Sequence, residues 1–186
     1  MEVKELKLNG VYGIILEPLT DERGFFMRTY DRNIFKESGL NKEWVQENHS
    51  MTLNKGTIRG LHFQLPPFAE TKLVRCIRGE VLDVFVDLRK DSETFGKWDS
   101  VILSEENYKM ILIPRGFAHG FYTLTDNCEV TYKVDNYYSP AHEIGLLWND
   151  TDLKIKWPEE NPILSEKDKK NLTLKEFMNK FNSIEV

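Results

Sequence analysis

The sequence predicts an all-β chain folded as a jelly-roll barrel. Three observations point there. Short runs of β-forming residues recur along the chain, and Gly, Pro, Asn or Asp separates most of them. Residues 81–86, Val-Leu-Asp-Val-Phe-Val, are apolar on both parities, the mark of a strand covered on both faces. Helical periodicity is confined to short, mostly late segments, which leaves a barrel or sandwich as the main body.

Taken in order, the expected strands are residues 11–17, 25–30, 44–53, 57–64, 72–77, 81–89, 98–104, 109–113, 120–124, 130–136 and 143–147. Arg78-Gly79-Glu80 reads as a hairpin turn joining residues 72–77 to the central run. Asp31 is placed to cap a helix over 32–38 that Gly39 would stop. Ser165-Glu166-Lys167-Asp168 has capping-box spacing, with Asp in place of the usual Glu or Gln, and would start a C-terminal helix from about residue 165. A further helix over 174–181 would set Leu174, Phe177, Met178 and Phe181 on one face.

Bulk composition narrows the function. The chain has 186 residues, of which 30% are charged and 40% hydrophobic, an ordinary composition for one domain spanning 1–186. Net charge is −5, so a nucleic-acid polymer is a poor partner, although one small phosphate ligand stays open. Cys76 and Cys128 are the only cysteines, which suggests reduced thiols and a cytoplasmic home. The first residues lack the apolar core of a secretory signal, and no apolar run reaches membrane-spanning length.

Two glycine-marked segments carry the chemistry. Arg59-Gly60-Leu61-His62-Phe63-Gln64 sets a cation three residues before an imidazole, and Pro114 to Phe121 sets His119 after a similar turn. Strand alternation puts His62 and Gln64 on one face with Ile58. It puts Tyr132 with Val130 and Val134, Lys72 with Val74 and Cys76, and His119 with Phe121. Taken singly, each has an ordinary structural explanation. Taken together, a lysine, an arginine and two histidines in one barrel need a ligand or carboxylate partners. That combination suits an anionic ligand and a proton transfer.

A metal-dependent enzyme is a competing reading. The metal-binding spacing His-x-His fails because Gln64 stands at the second position, and His62 with His119 alone makes a thin ligand set. No metal and no other cofactor is expected. A non-catalytic binder of the same ligand also stays open. No glycine-rich phosphate loop opens a helix.

The chain resembles the dTDP-4-dehydrorhamnose 3,5-epimerase family, sugar-nucleotide epimerases on a cupin-type jelly roll. The blocks that carry the likeness include Asp21 to Phe26, Val45-Gln46-Glu47-Asn48, Arg59 to Gln64, Lys72-Leu73-Val74-Arg75, Pro114 to Phe121, Glu143-Ile144-Gly145 and Leu164 to Asp168. The resemblance implies that His62 is the base beside a sugar ketone and that Asp168 orients it. It implies that Tyr132 is the acid on the opposite face and that Lys72 stabilises the enolate. Arg59 and His119 would line the sugar-diphosphate site. Arg23, Gln46, Glu47, Asn48, Glu143 and Lys167 would serve the nucleotide half, with Arg23 reaching a neighbouring subunit. It implies a cofactor-independent isomerase acting at C3 and C5 of a dTDP-linked 4-keto-6-deoxyhexose, and a homodimer with exchanged N-terminal strands. A single-carbon epimerase on another nucleotide sugar is the variant, because Arg28 stands where many members carry glutamate.

Overall fold

The computed structural model describes residues 1–186. Its strands are β1 (Glu2–Glu5), β2 (Tyr12–Ile15), β3 (Leu19–Asp21), β4 (Gly24–Phe26), β5 (Gln46–Thr52), β6 (Ile58–Gln64) and β7 (Lys72–Arg78). They continue with β8 (Glu80–Asp87), β9 (Trp98–Ser104), β10 (Lys109–Ile113), β11 (Phe117–Thr123), β12 (Cys128–Val134) and β13 (Glu143–Gly145). Helices α1 (Arg32–Glu37) and α2 (Leu174–Phe181) are short, and a single 3-10 turn spans Asp168–Lys170.

One sheet runs β1-β2-β10-β7-β12-β5 and the other β13-β6-β11-β8-β9. They pack face to face as an antiparallel jelly roll. Alternation decides what each face meets. On β7 and β12, Val74, Cys76, Cys128 and Val130 point inward to meet Val81, Phe85 and Phe121 of the facing sheet. On β8, Val84 and Val86 point outward and are covered by Leu174 and Phe177 of α2. This two-sided burial accounts for the apolar residues on both parities of 81–86. Outside the other sheet, Leu73, Met110 and Leu112 are covered by Phe35 and Leu40 at α1.

Asp31 caps α1 through the backbone N–H groups of Asn33 and Ile34, as its position predicts. At the C-terminal end the capping box belongs to Thr173 and Glu176 of α2. Ser165 instead accepts the Asp168 N–H at 3.1 Å, and only the 3-10 turn follows.

Two other expectations are corrected, and one strand forms where none was expected. Gly79 is not a hairpin turn: β7 and β8 lie in different sheets, so Arg78-Gly79-Glu80 is a corner between them. Gly79 has φ +73°, and a Cβ there would come 2.5 Å from Thr125 Oγ1, so the corner needs glycine. The run 25–30 shortens to β4, which pairs with β3 in a hairpin whose Leu19, Phe25 and Phe26 stay exposed. Finally, β1 is an edge strand of alternating charge that pairs Val3 with Ile14, and its polar surface hid it from a hydrophobic pattern.

Candidate active site

The site is built on β6, and a β-bulge shapes it. His62 pairs with His119 of β11, but Arg59 pairs with Phe121, so three steps on β6 match two on β11. Cross-strand partners share a face, and Phe121 belongs to the barrel interior. Arg59, not Ile58, therefore shares the inner face with His62. Ile58 pairs with Tyr122 on the outer face, which corrects the simple alternation. The bulge depends on a close approach of two glycines. A Cβ on Gly60 would lie 2.5 Å from Gly120 Cα, and one on Gly120 would lie 2.7 Å from the Arg59 carbonyl oxygen.

His62 Nε2 lies 2.6 Å from Asp168 Oδ1. Asp168 is 3% exposed. Burial works to raise its carboxyl, but the bonds from His62, Ser165 and the Gly60 backbone hold it below the ordinary value. The carboxylate thus accepts from Nε2–H and leaves Nδ1 as the free basic nitrogen. His119 is set in parallel fashion: its Nε2 lies 2.9 Å from Asp83, which is fully buried on β8.

The facing sheet supplies a cation and a phenol. Lys72 is buried on the inner face of β7, and its Nζ reaches across the barrel to donate to the His62 carbonyl at 3.2 Å. Glu70 Oε1 stands 3.4 Å from the same Nζ. Tyr132 on β12 pairs with Val74 and Asn48 and packs against the barrel core. Burial first, then the charges of Glu70 and Glu143, push its phenol up, while Arg59 pulls the other way. Tyr132 is therefore kept protonated in a site that also holds Arg59, Glu70 and Glu143.

Around this centre, Arg59 donates to Thr52 Oγ1 and the Met51 carbonyl. Gln46 and Asn48 pair with Val134 and Tyr132 on the inner side of β5. Gln46 accepts the Tyr138 N–H at 2.7 Å. Glu143 pairs with Gln64 across β13 and β6, and accepts from Tyr138 Oη and Lys167 Nζ, each at 2.6 Å. Burial opposes this, yet those two bonds hold the Glu143 carboxyl below its usual range.

Two residues do not join the others within this chain. Glu47 alternates to the outer face, where Lys133 Nζ donates to it at 2.7 Å. Arg23 stands at the tip of the β3–β4 hairpin, 84% exposed and paired with Asp21. Asp83, Glu70 and Tyr138 were missed by sequence reasoning. An acid on the inward parity of the apolar β8 run was the available signal for Asp83. Glu70 and Tyr138 lie in loops, where no periodicity points them inward.

Gln64 is fully engaged. Its Nε2 donates to Glu70 and to the Phe68 and Tyr137 carbonyls, and its Oε1 accepts the Ser139 N–H. No group of three His, Cys, Asp or Glu side chains is arranged to hold a metal ion. Both cysteines are buried, and burial pushes the Cys76 thiol up to about 12, which makes it a poor nucleophile. No helix is long and apolar enough to cross a membrane.

Fold and site together define a jelly-roll protein whose barrel holds an imidazole–carboxylate pair, an ammonium and a buried phenol: equipment for moving a proton on and off a polar substrate. Residues 5–176 match the sequence profile described as dTDP-4-dehydrorhamnose 3,5-epimerase. A relative of that name from Shigella flexneri is 53% identical over 158 residues, which are 83% of this chain and 87% of the relative. The Bacillus anthracis dTDP-4-dehydrorhamnose 3,5-epimerase, solved with TDP and pyrophosphate bound, superposes with TM-score 0.91 at 46% identity, covering 93% of this chain and 99% of that one. The Legionella pneumophila dTDP-6-deoxy-D-glucose-3,5-epimerase, solved with dTDP-4-keto-L-rhamnose, gives TM-score 0.89 at 39% identity over 94% and 93%. The chain belongs to the dTDP-4-dehydrorhamnose 3,5-epimerase family and is an isomerase.

Proposed function

We propose that this enzyme converts dTDP-4-dehydro-6-deoxyglucose into dTDP-4-dehydrorhamnose by exchanging protons at C3 and C5, a step in deoxysugar and cell-surface polysaccharide synthesis. The observation that carries the mechanism is the 2.6 Å His62–Asp168 pair with the Lys72 ammonium 3.2 Å from the His62 carbonyl. His62 Nδ1 takes the proton from a carbon beside the C4 ketone. The electron pair moves onto the ketone oxygen as an enolate, and Asp168 balances the imidazolium. Lys72 stabilises that oxygen electrostatically. Tyr132 then donates its phenolic proton from the opposite wall, the C–H bond reforms with inverted configuration, and solvent restores both groups. The oxidation state of the sugar is unchanged, so the chemistry needs no redox cofactor. A positioned acid or base contributes about 10²–10⁴-fold.

Arg59 and His119 hold the diphosphate through charge-assisted hydrogen bonds. Gln46, Asn48, Glu143 and Lys167 serve the nucleotide half. Arg23 reaches the site of a second copy in a symmetric homodimer, and the exposed Leu19, Phe25 and Phe26 of its hairpin support that assembly. The free, buried cysteines support residence in the cytoplasm.

NMR of the product tests the reading. Inversion at both C3 and C5 is expected. Inversion at one carbon would reassign the enzyme to single-carbon epimerisation, and ligand binding without turnover would make it a binder. Affinities for dTDP, UDP, CDP and GDP, with dTDP tightest, test the base.

A further inference from the structure

Glu70 puts a carboxylate where the reaction scheme has no acid or base left to fill. It precedes β7 in a loop, yet its side chain is only 12% exposed. One oxygen, Oε1, lies 3.4 Å from Lys72 Nζ. The other, Oε2, accepts from Gln64 Nε2 at 2.7 Å. Gln64 is itself fixed, because Ser139 donates to its Oε1 at 2.6 Å and its amide reaches the Phe68 carbonyl. The carboxylate is therefore anchored on one side and offered to Lys72 on the other.

Lysine needs such an anchor. Its ammonium is a compact charge on a flexible four-carbon stem, with three donors that rotate freely. Here one donor faces Glu70 and a second faces the His62 carbonyl at 3.2 Å. Staggered geometry then sets the direction of the third. A carboxylate so close also partly offsets the positive charge of Lys72, so its presence weakens a purely electrostatic role. Direction is what it adds.

We propose that Glu70 is a positioning residue that, braced by Gln64, aims the remaining Lys72 N–H at the ketone oxygen where charge develops. This rests on the role assigned to Lys72 above. The Glu70–Gln64–Ser139 chain also ties Lys72 to the loop before β13, so that Lys72 and Glu143 are held by the same connected set of bonds.

The test is steady-state kinetics on Glu70→Ala, Glu70→Gln, Lys72→Met and the double variant Glu70→Ala/Lys72→Met, each checked for wild-type melting. Glu70→Ala is expected to lower kcat about 10- to 100-fold, the scale of an ångström-sized misplacement. Its KM should stay within about threefold, the pattern of an interaction made only in the transition state. Glu70→Gln keeps one acceptor oxygen but turns an amide NH2 toward either Lys72 or the Gln64 Nε2 donor, so it should recover only part of the loss. The double variant should be no slower than Lys72→Met alone, because coupled residues are not additive. Wild-type kcat in Glu70→Ala, or losses that multiply in the double variant, would overturn the proposal. If Lys72→Met itself turns over normally, the role given to Lys72 fails, and Glu70 has nothing to position. If Lys72→Met is slow and Glu70→Ala is not, only the Glu70 proposal fails.

Discussion

The His62–Asp168 pair sets what each nitrogen of the imidazole can do. Because Nε2 faces the carboxylate at 2.6 Å, Nδ1 is the nitrogen left to take a proton in the proposed reaction. Asp168→Asn preserves shape but presents an amide that can stabilise the wrong tautomer and cannot balance an imidazolium. It should cost about 10²–10⁴ in kcat, the scale seen when the orienting carboxylate of a catalytic triad is neutralised. The same residue makes a statement about stability. Its carboxyl titrates below the ordinary 3.8 in the folded protein, so its contribution is complete above that value and is lost as pH falls through the depressed one. Melting temperatures recorded from pH 6 down to pH 2 should therefore fall more gently for Asp168→Asn than for wild type below about pH 4. An equally steep fall would show that Asp168 is not held ionised. At this scale the sequence was informative about residue type and direction. Strand parity alone turned Lys72 and Tyr132 inward. Parity also marks Asp83 as an inward acid on β8, but not its pairing with His119, and it says nothing of Glu70, which lies in a loop with no period.

Among the elements, β6 matters most, and its bulge was the feature least legible in advance. Period-2 alternation carried through Gly60 groups Ile58 with His62, whereas the extra residue moves Arg59 to that face. Glycine was the visible warning, since an isolated glycine in a strand marks a bulge or a close backbone approach. Gly120→Ala tests the role of that approach. The added methyl has no room at 2.7 Å from the Arg59 carbonyl, so β6 and β11 must separate and His62 moves relative to His119. A loss of roughly 1–3 kcal/mol in stability is expected from such overpacking, with a larger proportional loss of turnover. Unchanged denaturant midpoint and kcat would contradict it. The helices were easier to read because their signals are local: Asp31 before α1 and the apolar stripe of α2. The helix expected from Ser165 gives only a 3-10 turn, and α2 is capped by Thr173 with Glu176. Strand alternation also separates Glu47 from Gln46 and Asn48, a distinction that block resemblance does not make.

The whole molecule raises the question of what covers the β3–β4 hairpin. Leu19, Phe25 and Phe26 are 71%, 57% and 64% exposed, an apolar group that a lone barrel leaves in water. Light scattering should give a mass near twice 21.9 kDa, and a monomer mass would refute the dimer. Subunit mixing extends the test to function. If Arg23 serves the neighbouring copy, then Arg23→Ala mixed with His62→Ala restores one complete site per heterodimer, and turnover at low substrate should exceed that of either variant alone. No recovery would keep Arg23 out of the partner's site. The barrel itself was legible at this scale because its turns and alternation are written locally. The hairpin was only half legible, because its apolar residues find no partner within the chain.

The central claim is that one imidazole removes a proton and one phenol returns it from the other side. Solvent-deuterium incorporation, followed by NMR in Tyr132→Phe and His62→Ala, tests this most directly. Tyr132→Phe should take up deuterium beside the ketone without yielding inverted product, because His62 still removes the proton and returns a label to the same face. His62→Ala should take up none above the rate of free substrate. Exchange that survives in His62→Ala, or full inversion by Tyr132→Phe, would contradict the account.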